Sequence, residues 1–383
     1  MTKIDLSKQL GIAVIEMLTG AGHQAYVVGG PVRNALLGQP ISDLDVATSA
    51  RPETVLELAR SGGLKAIPTG IDHGTVTVVI NGEGIEITTF RRDVATDGRR
   101  AVVAFSDRIE EDASRRDFTM NALYADSEGK VIDPLGGLSD LYARKVRFID
   151  DPAERIREDY LRILRFFRFY AWYGDPGEGI DADGLAACAE LADGLGELSR
   201  ERIGAEMLKL LSADDPGPAL AAMQNSGVLM RVLSGSNAEQ LPVLVHLEQE
   251  QGVAAEPLRR LVAVGGENPS DALRLSKKQS FDLQTMQKSV SEMKPAHEVG
   301  YRLGDRRGID VVLLKACLFG GQNVEADIER VDAGASAVFP LRASDLPHLT
   351  GPDLGKALKQ AEQDWIASVF VLSKAELIAT TQS

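Results

Sequence analysis

The chain has 383 residues, of which 44% are hydrophobic and 26% are charged, a composition that excludes a disordered protein. Acidic residues outnumber basic ones by 56 to 42, and the net charge of −14 argues against a protein that coats nucleic acid through bulk positive charge. The two cysteines are far apart in the sequence, which argues against disulfides and a zinc site. The N-terminal residues do not resemble a secretory leader and no apolar run reaches about 18 residues, which argues against secretion and a membrane span. Together these features predict a cytoplasmic protein.

Residues 1–150 combine short helix and strand patterns. In chain order these predict a helix over 6–18, a strand over 25–28, a helix over 32–37, a strand over 42–47, a helix over 52–60 and a hairpin over 75–90. The polar stretch 91–111 has no clear period and predicts a mobile loop. This part of the chain is therefore expected to form an α+β or α/β domain.

From Asp151 onward the pattern is almost wholly helical. Asp151, Pro152 and Glu154 have the residue types and spacing of a helix start, and one continuous helix is predicted from there through Arg168. The last long helix is predicted over 354–378. We expect this half to contain few residues with a chemical role.

Two glycines, Gly29 and Gly30, stand between a predicted strand and a predicted helix. Such a junction lets backbone amides approach phosphate oxygens closely, and the guanidinium of Arg33 could add a fork for phosphate. By itself the pair is more typical of a tight turn that needs glycine.

Asp43 and Asp45 are two residues apart on a predicted strand, so both carboxylates would face the same side. Carboxylate oxygens are the ligands that Mg²⁺ prefers, and Glu86 on the predicted hairpin is a possible third carboxylate. The alternative for each is a solvated strand face. A glycine turn followed by paired carboxylates predicts nucleotidyl transfer with two divalent ions, which activate a hydroxyl and stabilise the leaving pyrophosphate.

A third motif begins with Arg115 and Arg116, whose paired guanidinium groups suit a triphosphate. Asp117 and Asn121 follow at a four-residue step, which would place both on one helix face where they could bind ribose hydroxyls. A charged helix start is the alternative.

A fourth motif lies on the predicted helix through Arg168. Asp159 and Arg162 would be about one turn apart, where a carboxylate and a guanidinium could bind the edge of a nucleobase. Arg165 and Arg168 continue around the face opposite the apolar stripe and could bind phosphate. The alternative is a solvated face with an ordinary Asp–Arg pair.

In this order and spacing, the four motifs resemble the class II tRNA nucleotidyltransferase and bacterial poly(A) polymerase family. Residues 27–33 with 42–45 resemble its metal and triphosphate motif, and residues 115–121 resemble its ribose motif. Residues 158–162 resemble its amino-acid template for choosing CTP or ATP, and 200–206 resemble the motif that braces the template. Asn34 departs from the family, which usually has Asp there.

The resemblance implies an α+β fold class, with an N-terminal polymerase-β-like head containing a small mixed sheet and an all-α neck, body and tail. The implied divisions are a catalytic head over 1–147, a neck for base selection over 148–211, and a tRNA-binding body and tail over 212–383. The implied activity is addition of C, C and A to a tRNA 3′ end without a nucleic-acid template.

The resemblance and the motifs together assign site residues. The expected metal ligands at a two-ion Mg²⁺ site are Asp43 and Asp45, with Glu86 as a further catalytic carboxylate. The expected nucleotide-binding residues are Gly29, Gly30, Arg33, Arg116, Asp117, Asn121, Asp159, Arg162, Arg165 and Arg168. The polar stretch with Arg91, Asp93, Asp97 and Arg99 resembles the flexible loop that helps the family switch from C to A.

The expected partners are tRNA, CTP and ATP, with no membrane and no protein partner implied. Because tRNA requires a positive surface, we expect a basic cluster between head and neck to bind it: Arg144, Lys145, Arg147, Arg155 and Arg157. A poly(A) polymerase or a CC-adding enzyme is the near alternative. A non-catalytic RNA-binding module is the distant one.

Overall fold

A computed structural model describes residues 2–6, 11–41, 44–97, 100–321 and 323–381. It divides into two compact units, here called the first unit (Met1–Ser234) and the second unit (Gly235–Ser383). In the described part of the chain, no helix is long and apolar enough to cross a membrane.

The first unit contains the sheet and eleven of the described helices. The strands are β1 (Ala25–Val28), β2 (Asp45–Thr48), β3 (Lys65–Gly70), β4 (Thr75–Ile80), β5 (Glu83–Thr89), β6 (Arg91–Asp97), β7 (Arg100–Phe105), β8 (Tyr124–Ala125) and β9 (Val131–Ile132). The helices are α1 (Gly11–Gly20), α2 (Gly30–Leu36), α3 (Pro52–Ser61), α4 (Ile109–Ser114), α5 (Gly137–Tyr142), α6 (Pro152–Glu158), α7 (Leu161–Tyr173), α8 (Ala182–Glu190), α9 (Arg200–Leu211), α10 (Gly217–Asn225) and α11 (Val228–Val232).

Seven of the described strands form one sheet in the order β3-β4-β5-β2-β1-β8-β9. The β2–β5 pair is parallel and the other pairs are antiparallel, so the sheet is mixed, as the family resemblance implies. Together with the helical remainder, this confirms the expected α+β fold class. The predicted hairpin is also confirmed as β4 and β5.

The predicted mobile loop over 91–111 is wrong. β6 and β7 pair in an antiparallel two-stranded ribbon, and α4 follows it. The facing backbone groups of the two strands bond to each other and the outward ones can bond to water, so the ribbon can form without the apolar alternation that strands of a core sheet show.

The predicted continuous helix through Arg168 is also wrong, because it is broken at Asp159. Asp159 has extended backbone dihedrals (φ −156°, ψ 106°) between α6 and α7. Its side-chain Oδ1 accepts a hydrogen bond from the Leu161 amide at 3.1 Å, which satisfies one free donor at the start of α7. Charged residues recur at helical spacing on both sides of Asp159, so the sequence pattern does not reveal the break in the helix.

The second unit is helical within its described residues. Its helices are α12 (Leu241–Glu250), α13 (Pro257–Val264), α14 (Pro269–Ala272), α15 (Lys277–Ser291), α16 (Ala296–Phe319), α17 (Val324–Ser336), α18 (Gly351–Ala367) and α19 (Lys374–Thr380). The single helix predicted over 354–378 is two helices, since Val369 and Phe370 have positive φ angles of 58° and 66° that no α-helix contains.

A sealed ion network joins three helices of the second unit. Arg259 and Arg260 on α13 both bind Glu248 on α12, each with a shortest contact of 2.7 Å, and Arg259 also binds Asp310 on α16 at 2.6 Å. All four side chains are at most 2% exposed. We call these four residues the buried cluster. Sequence reasoning overlooked it, because charged residues on helices are usually interpreted as surface.

Candidate active site

A cavity of about 400 Å³ in the first unit brings three of the four sequence motifs together. Its lining residues are Val28, Gly29, Gly30, Asp45, Arg115, Arg116, Asp117, Asn121, Asp159, Leu161, Arg162, Arg165 and Arg202, here called the cavity cluster. Of the paired carboxylates, Asp45 lines the cavity, whereas Asp43 lies outside the described residues.

The glycine turn forms one wall of the cavity. Gly29 has φ 74° and ψ −120°, a backbone conformation that side chains other than glycine rarely adopt. A Cβ atom there would stand 3.5 Å from Nη1 of Arg116, an ordinary van der Waals distance, so the backbone conformation and not crowding favours glycine. Gly30 begins α2, and the first amide groups of a helix have no carbonyl partner within that helix.

Arg33 lies behind this wall and is not among the lining residues. It is 6% exposed, and its guanidinium donates to Oδ1 of Asn121, to Oδ1 of Asn34 and to the Tyr173 hydroxyl. Burial lowers the pKa of Arg33 to about 10. The arrangement therefore places Arg33 as a support beneath the turn, and direct contact with phosphate stays a prediction.

A buried carboxylate that sequence reasoning missed holds the paired arginines. Asp112 on α4 is 1% exposed and accepts from Nε of Arg115 at 3.1 Å, from Nη2 of Arg116 at 2.9 Å and from the Tyr124 hydroxyl at 2.8 Å. Burial by itself raises the pKa of Asp112, but Arg116 and Arg115 outweigh it and lower the pKa to about 2. The spacing of three and four residues before the arginines is the signal that could have identified it.

Asp117 and Asn121 lie together, as the motif predicts, but not on a helix face. Asn121 closes a short 3₁₀ turn (Thr119–Asn121), and Phe118 between them is extended. The Asn121 amide donates to Oδ1 of Asp117 at 3.0 Å, and Arg165 donates to Oδ2 of Asp117 at 2.7 Å. Burial raises the pKa of Asp117, whereas Arg165 and Asn121 lower it more strongly, to about 2.

Asp159 and Arg162 both line the cavity but bind other partners. Oδ2 of Asp159 accepts from Nη2 of Arg202 at 2.7 Å. Arg162 pairs with Glu158 and donates to the carbonyl oxygen of Arg115 at 3.1 Å. The break between α6 and α7 causes this difference, because it turns Asp159 away from the helical face that carries Arg162.

The other two arginines of α7 differ in position. Arg165 lines the cavity beside Asp117, whereas Arg168 does not and donates from Nε to Glu206 at 2.5 Å. The contacts of Arg202 with Asp159 and of Glu206 with Arg168 are those expected of a bracing motif on α9.

Of the carboxylates proposed for metal binding, Asp45 and Glu86 lie on two neighbouring interior strands of the sheet, β2 and β5. Asp45 begins β2 and is paired in register with Glu86 on β5, so both exposed side chains project from the same face. Two neighbouring carboxylates exposed to solvent fit a hard divalent cation. Within the residues that the structure describes, no group of three or more His, Cys, Asp or Glu side chains is placed to hold a metal.

The predicted flexible-loop residues belong to the ribbon. Arg91, Asp93 and Asp97 are in β6, where Nη1 of Arg91 donates to the His73 carbonyl oxygen at 2.5 Å. Arg99 lies outside the described residues.

The basic residues predicted to bind RNA are not equally available. Arg157 is 53% exposed, and Lys145 and Arg147 are about half exposed beside Asp181 and Asp140. Arg155 points inward, where it pairs with Glu158 at 2.8 Å and donates to the Ser114 carbonyl oxygen at 3.0 Å. Arg144 is half-buried, with a φ angle of 53°.

Two family models match the chain: one described as the Poly A polymerase head domain, over residues 25–147, and one as the probable RNA and SrmB-binding site of polymerase A, over residues 179–239. The chain is 31% identical to CCA tRNA nucleotidyltransferase 1, mitochondrial, of Homo sapiens over 389 residues, covering 96% of this chain and 88% of that protein. It is also 31% identical to the CCA-adding enzyme of Geobacillus sp. strain WCH70, covering 97% of this chain and 92% of that protein. Its fold matches the crystal structure of the Bacillus stearothermophilus CCA-adding enzyme in complex with CTP with a TM-score of 0.74, at 27% identity and over 99% of this chain and 98% of the other.

Proposed function

Since this chain belongs to the family of CCA tRNA nucleotidyltransferases, we propose that it adds C, C and A to the 3′ end of tRNA, using CTP and ATP and no nucleic-acid template. The family resemblance found in the motifs is confirmed by these relatives. The observation that carries the proposal is one cavity that joins the glycine turn, the paired arginines and the base-selection residues.

The triphosphate would bind between the glycine turn and the paired arginines. Gly30 supplies a backbone amide, whereas the Gly29 amide already donates to the Leu123 carbonyl oxygen at 3.0 Å. Arg115 and Arg116 supply guanidinium groups that Asp112 holds in place. Preorganised donors of this kind stabilise charge on a phosphoryl group during transfer without reorganising. Asp117 and Asn121, which line the same cavity, would bind the ribose.

The metal ligands would be Asp43 and Asp45, with Glu86 beside Asp45 as a further carboxylate. Enzymes of this family work with divalent metal ions, and Mg²⁺ fits the oxygen donors present. When bound, such ions polarise the phosphoryl oxygens and activate the terminal hydroxyl of the RNA. The carboxylates of this chain would hold and orient these ions on the face of the sheet where Asp45 and Glu86 lie side by side.

The base would be selected by Asp159 and Arg162. Since each is paired with a neighbouring charged side chain, a base that binds them must exchange those ion pairs for its own hydrogen bonds. Arg165 lies on the same side of the cavity, next to the ribose residues, and Arg168 acts behind it through Glu206. Arg91, Asp93, Asp97 and Arg99 belong to the segment that we propose to adjust this choice after two additions.

The tRNA acceptor end would lie along the exposed basic residues between head and neck, chiefly Lys145, Arg147 and Arg157. We keep the division into a head over 1–147, a neck over 148–211 and a tRNA-binding body and tail over 212–383 as part of this proposal. A cytoplasmic location is likewise proposed. Both cysteines, Cys188 and Cys317, are buried free thiols, which suits a reducing compartment.

The test uses a tRNA transcript that ends at the discriminator base, with Mg²⁺ and CTP alone, ATP alone, or both. Two additions with CTP and a stop at three with both nucleotides are expected. A long ladder with ATP alone would instead indicate a poly(A) polymerase, and two additions without a third would indicate a CC-adding enzyme. No addition under any condition would contradict the catalytic function.

A further inference from the structure

Arg33 differs from the other deeply buried arginines in the kind of group that binds it. Arg259 and Arg260 each contact a carboxylate within 3 Å. Among the residues that the structure describes, Arg33 has no carboxylate within salt-bridge distance, and its guanidinium contacts Asn121, Asn34 and Tyr173, all of them uncharged. A buried cation with only neutral partners depends on the geometry of those partners, since a misplaced acceptor leaves a charge without solvation.

Tyr173 makes two separate contacts with this cation. Its hydroxyl accepts a hydrogen bond from Nη2 of Arg33 at 2.7 Å, and its ring centroid lies 3.9 Å from the guanidinium carbon. The side chain is 7% exposed, so water does not weaken either contact substantially. Tyr173 is the last residue of α7, the helix that also carries Arg162 and Arg165.

These contacts close a chain of polar groups that begins and ends on α7. Arg165 donates to Asp117, which accepts from Asn121, whose carbonyl oxygen accepts from Arg33, and Arg33 donates to Tyr173. Asp117 and Asn121 line the cavity, and Arg33 lies on α2, one turn beyond the glycine turn. Arg33 therefore joins α2 to the ribose residues through Asn121. It is held against α7 by the hydroxyl and ring of Tyr173, together with the ring of Phe169, whose centroid lies 5.1 Å from the guanidinium carbon.

We propose that Tyr173 is a positioning residue for nucleotidyl transfer, acting through Arg33 to hold the glycine turn and Asn121 in register with each other. This inference depends on the proposed function, because it concerns the phosphate and ribose end of the same nucleotide site. It requires that a substitution of Tyr173 change the KM for CTP and the KM for ATP equally, since the base is bound at the other end of the cavity. It also requires weaker binding of pyrophosphate, the product that leaves from that end.

The test compares Tyr173→Phe and Tyr173→Leu with a matched control, Tyr170→Phe. Tyr170 is on the same helix and equally buried, at 7% exposure, but its hydroxyl takes no part in the polar chain. In the full chain with tRNA and Mg²⁺, we expect Y173F to raise the KM for CTP and for ATP by about 3–10-fold, since one hydrogen bond to a charged group is lost. Y173L should raise both KM values by about 10–100-fold, because the ring contact is lost as well.

The inhibition constant for inorganic pyrophosphate distinguishes a positioning role from a merely structural one, which would leave this constant unchanged. The inhibition constant should rise by factors similar to the KM values, while the KM for tRNA and the CTP-to-ATP preference change less than about twofold, as in Y170F. The inference would be overturned if the Tyr173 variants lowered kcat alone, or matched Y170F, while the wild-type chain extended tRNA normally. A wild-type chain that extends no tRNA would overturn the proposed function instead, so the two failures are distinguishable.

Discussion

Two clusters of arginines and carboxylates in this protein differ in how far water reaches them. In the buried cluster of the second unit, the side chains of Glu248, Arg259 and Arg260 are at most 2% exposed. In the cavity cluster of the first unit, Arg116 is 21% exposed and Arg202 is 35% exposed.

The comparison shows that the same ion-pair chemistry serves two purposes. The buried cluster satisfies its own charges and is closed to any ligand, so it contributes only to the structure of its helices. Asp117 is a buried member of the cavity cluster and Asp112 is a buried carboxylate behind it, while the arginines that they bind keep part of their surface toward the cavity. Arginine side chains that buried carboxylates hold in place, and that remain partly exposed to the cavity, suit an anionic substrate.

The largest effect on activity is expected from Asp45→Asn. This exposed carboxylate begins β2, and its loss should reduce incorporation of CTP and ATP by at least about 1000-fold, because the proposed metal ions lose a charged ligand. The melting temperature should change by less than about 3 °C, since surface substitutions have small effects on stability. A primer-extension gel and thermal unfolding measure both quantities.

Glu57→Gln, an exposed acid on α3, is the matched control for Asp45→Asn and should retain full activity. Equal loss of activity in both variants would contradict a specific role for Asp45.

The largest effect on stability is expected from Glu248→Gln in the buried cluster. It leaves Arg259 and Arg260 with too little negative charge in a sealed site, so the free energy of unfolding should fall by about 3–5 kcal/mol. Urea unfolding measures this change. Glu250→Gln, an exposed acid at the end of the same helix, should change stability by less than about 0.5 kcal/mol.

An intermediate effect on both properties is expected from Asp112→Asn. The amide keeps the shape of the carboxylate but not its charge, so Arg115 and Arg116 lose the group that orients them. The KM for both nucleotides should rise by about 10-fold, and the free energy of unfolding should fall by about 1–3 kcal/mol. A variant with unchanged KM values would show that Asp112 acts on stability alone.

Acid should weaken the first unit through Asp112 and Asp117. The pKa of each is lowered to about 2, so the charged form is favoured in the folded state, and its stabilisation is complete above pH 4 and lost as the pH falls toward 2. Each carboxylate should contribute about 2 kcal/mol over this window. Urea unfolding at several pH values should show a smaller loss in D112N than in the wild type.

The smallest effect is expected from Arg157→Ala. This side chain is 53% exposed and 3.9 Å from Glu190, so stability should change by less than about 0.5 kcal/mol. If it contacts tRNA phosphate, the slope of log affinity against log salt should decrease by about 1. Arg108→Ala, which is exposed and loosely paired with Glu110, should leave the slope unchanged.

Local signals predicted β1, β2, β4 and β5 and the first site residues, because they depend on neighbouring residues, but they did not predict β3 or β6 to β9. The glycine turn at Gly29, the location of Asp45 on a strand and the proximity of Asp117 and Asn121 all follow from short motifs. The fold class follows from the change of pattern near Asp151.

The partners of charged side chains could not be predicted, because they depend on contacts distant in the sequence. Arg202 binds Asp159 across 43 positions, and Arg33 binds Tyr173 across 140. The sequence pattern indicated a phosphate-binding arginine at Arg33, whereas the structure buries it. The break at Asp159 was equally hidden, since a polar residue is common both within a helix and at its cap.

Amide hydrogen exchange of the full chain, with and without CTP and Mg²⁺, tests most directly where the nucleotide binds. Slower exchange is predicted in the glycine turn and α2, in residues 112–121 and at the start of α7, with no change in α12 and α13. Protection confined to the second unit, with none around Gly29 or Asp117, would contradict the assignment of the nucleotide site to this cavity.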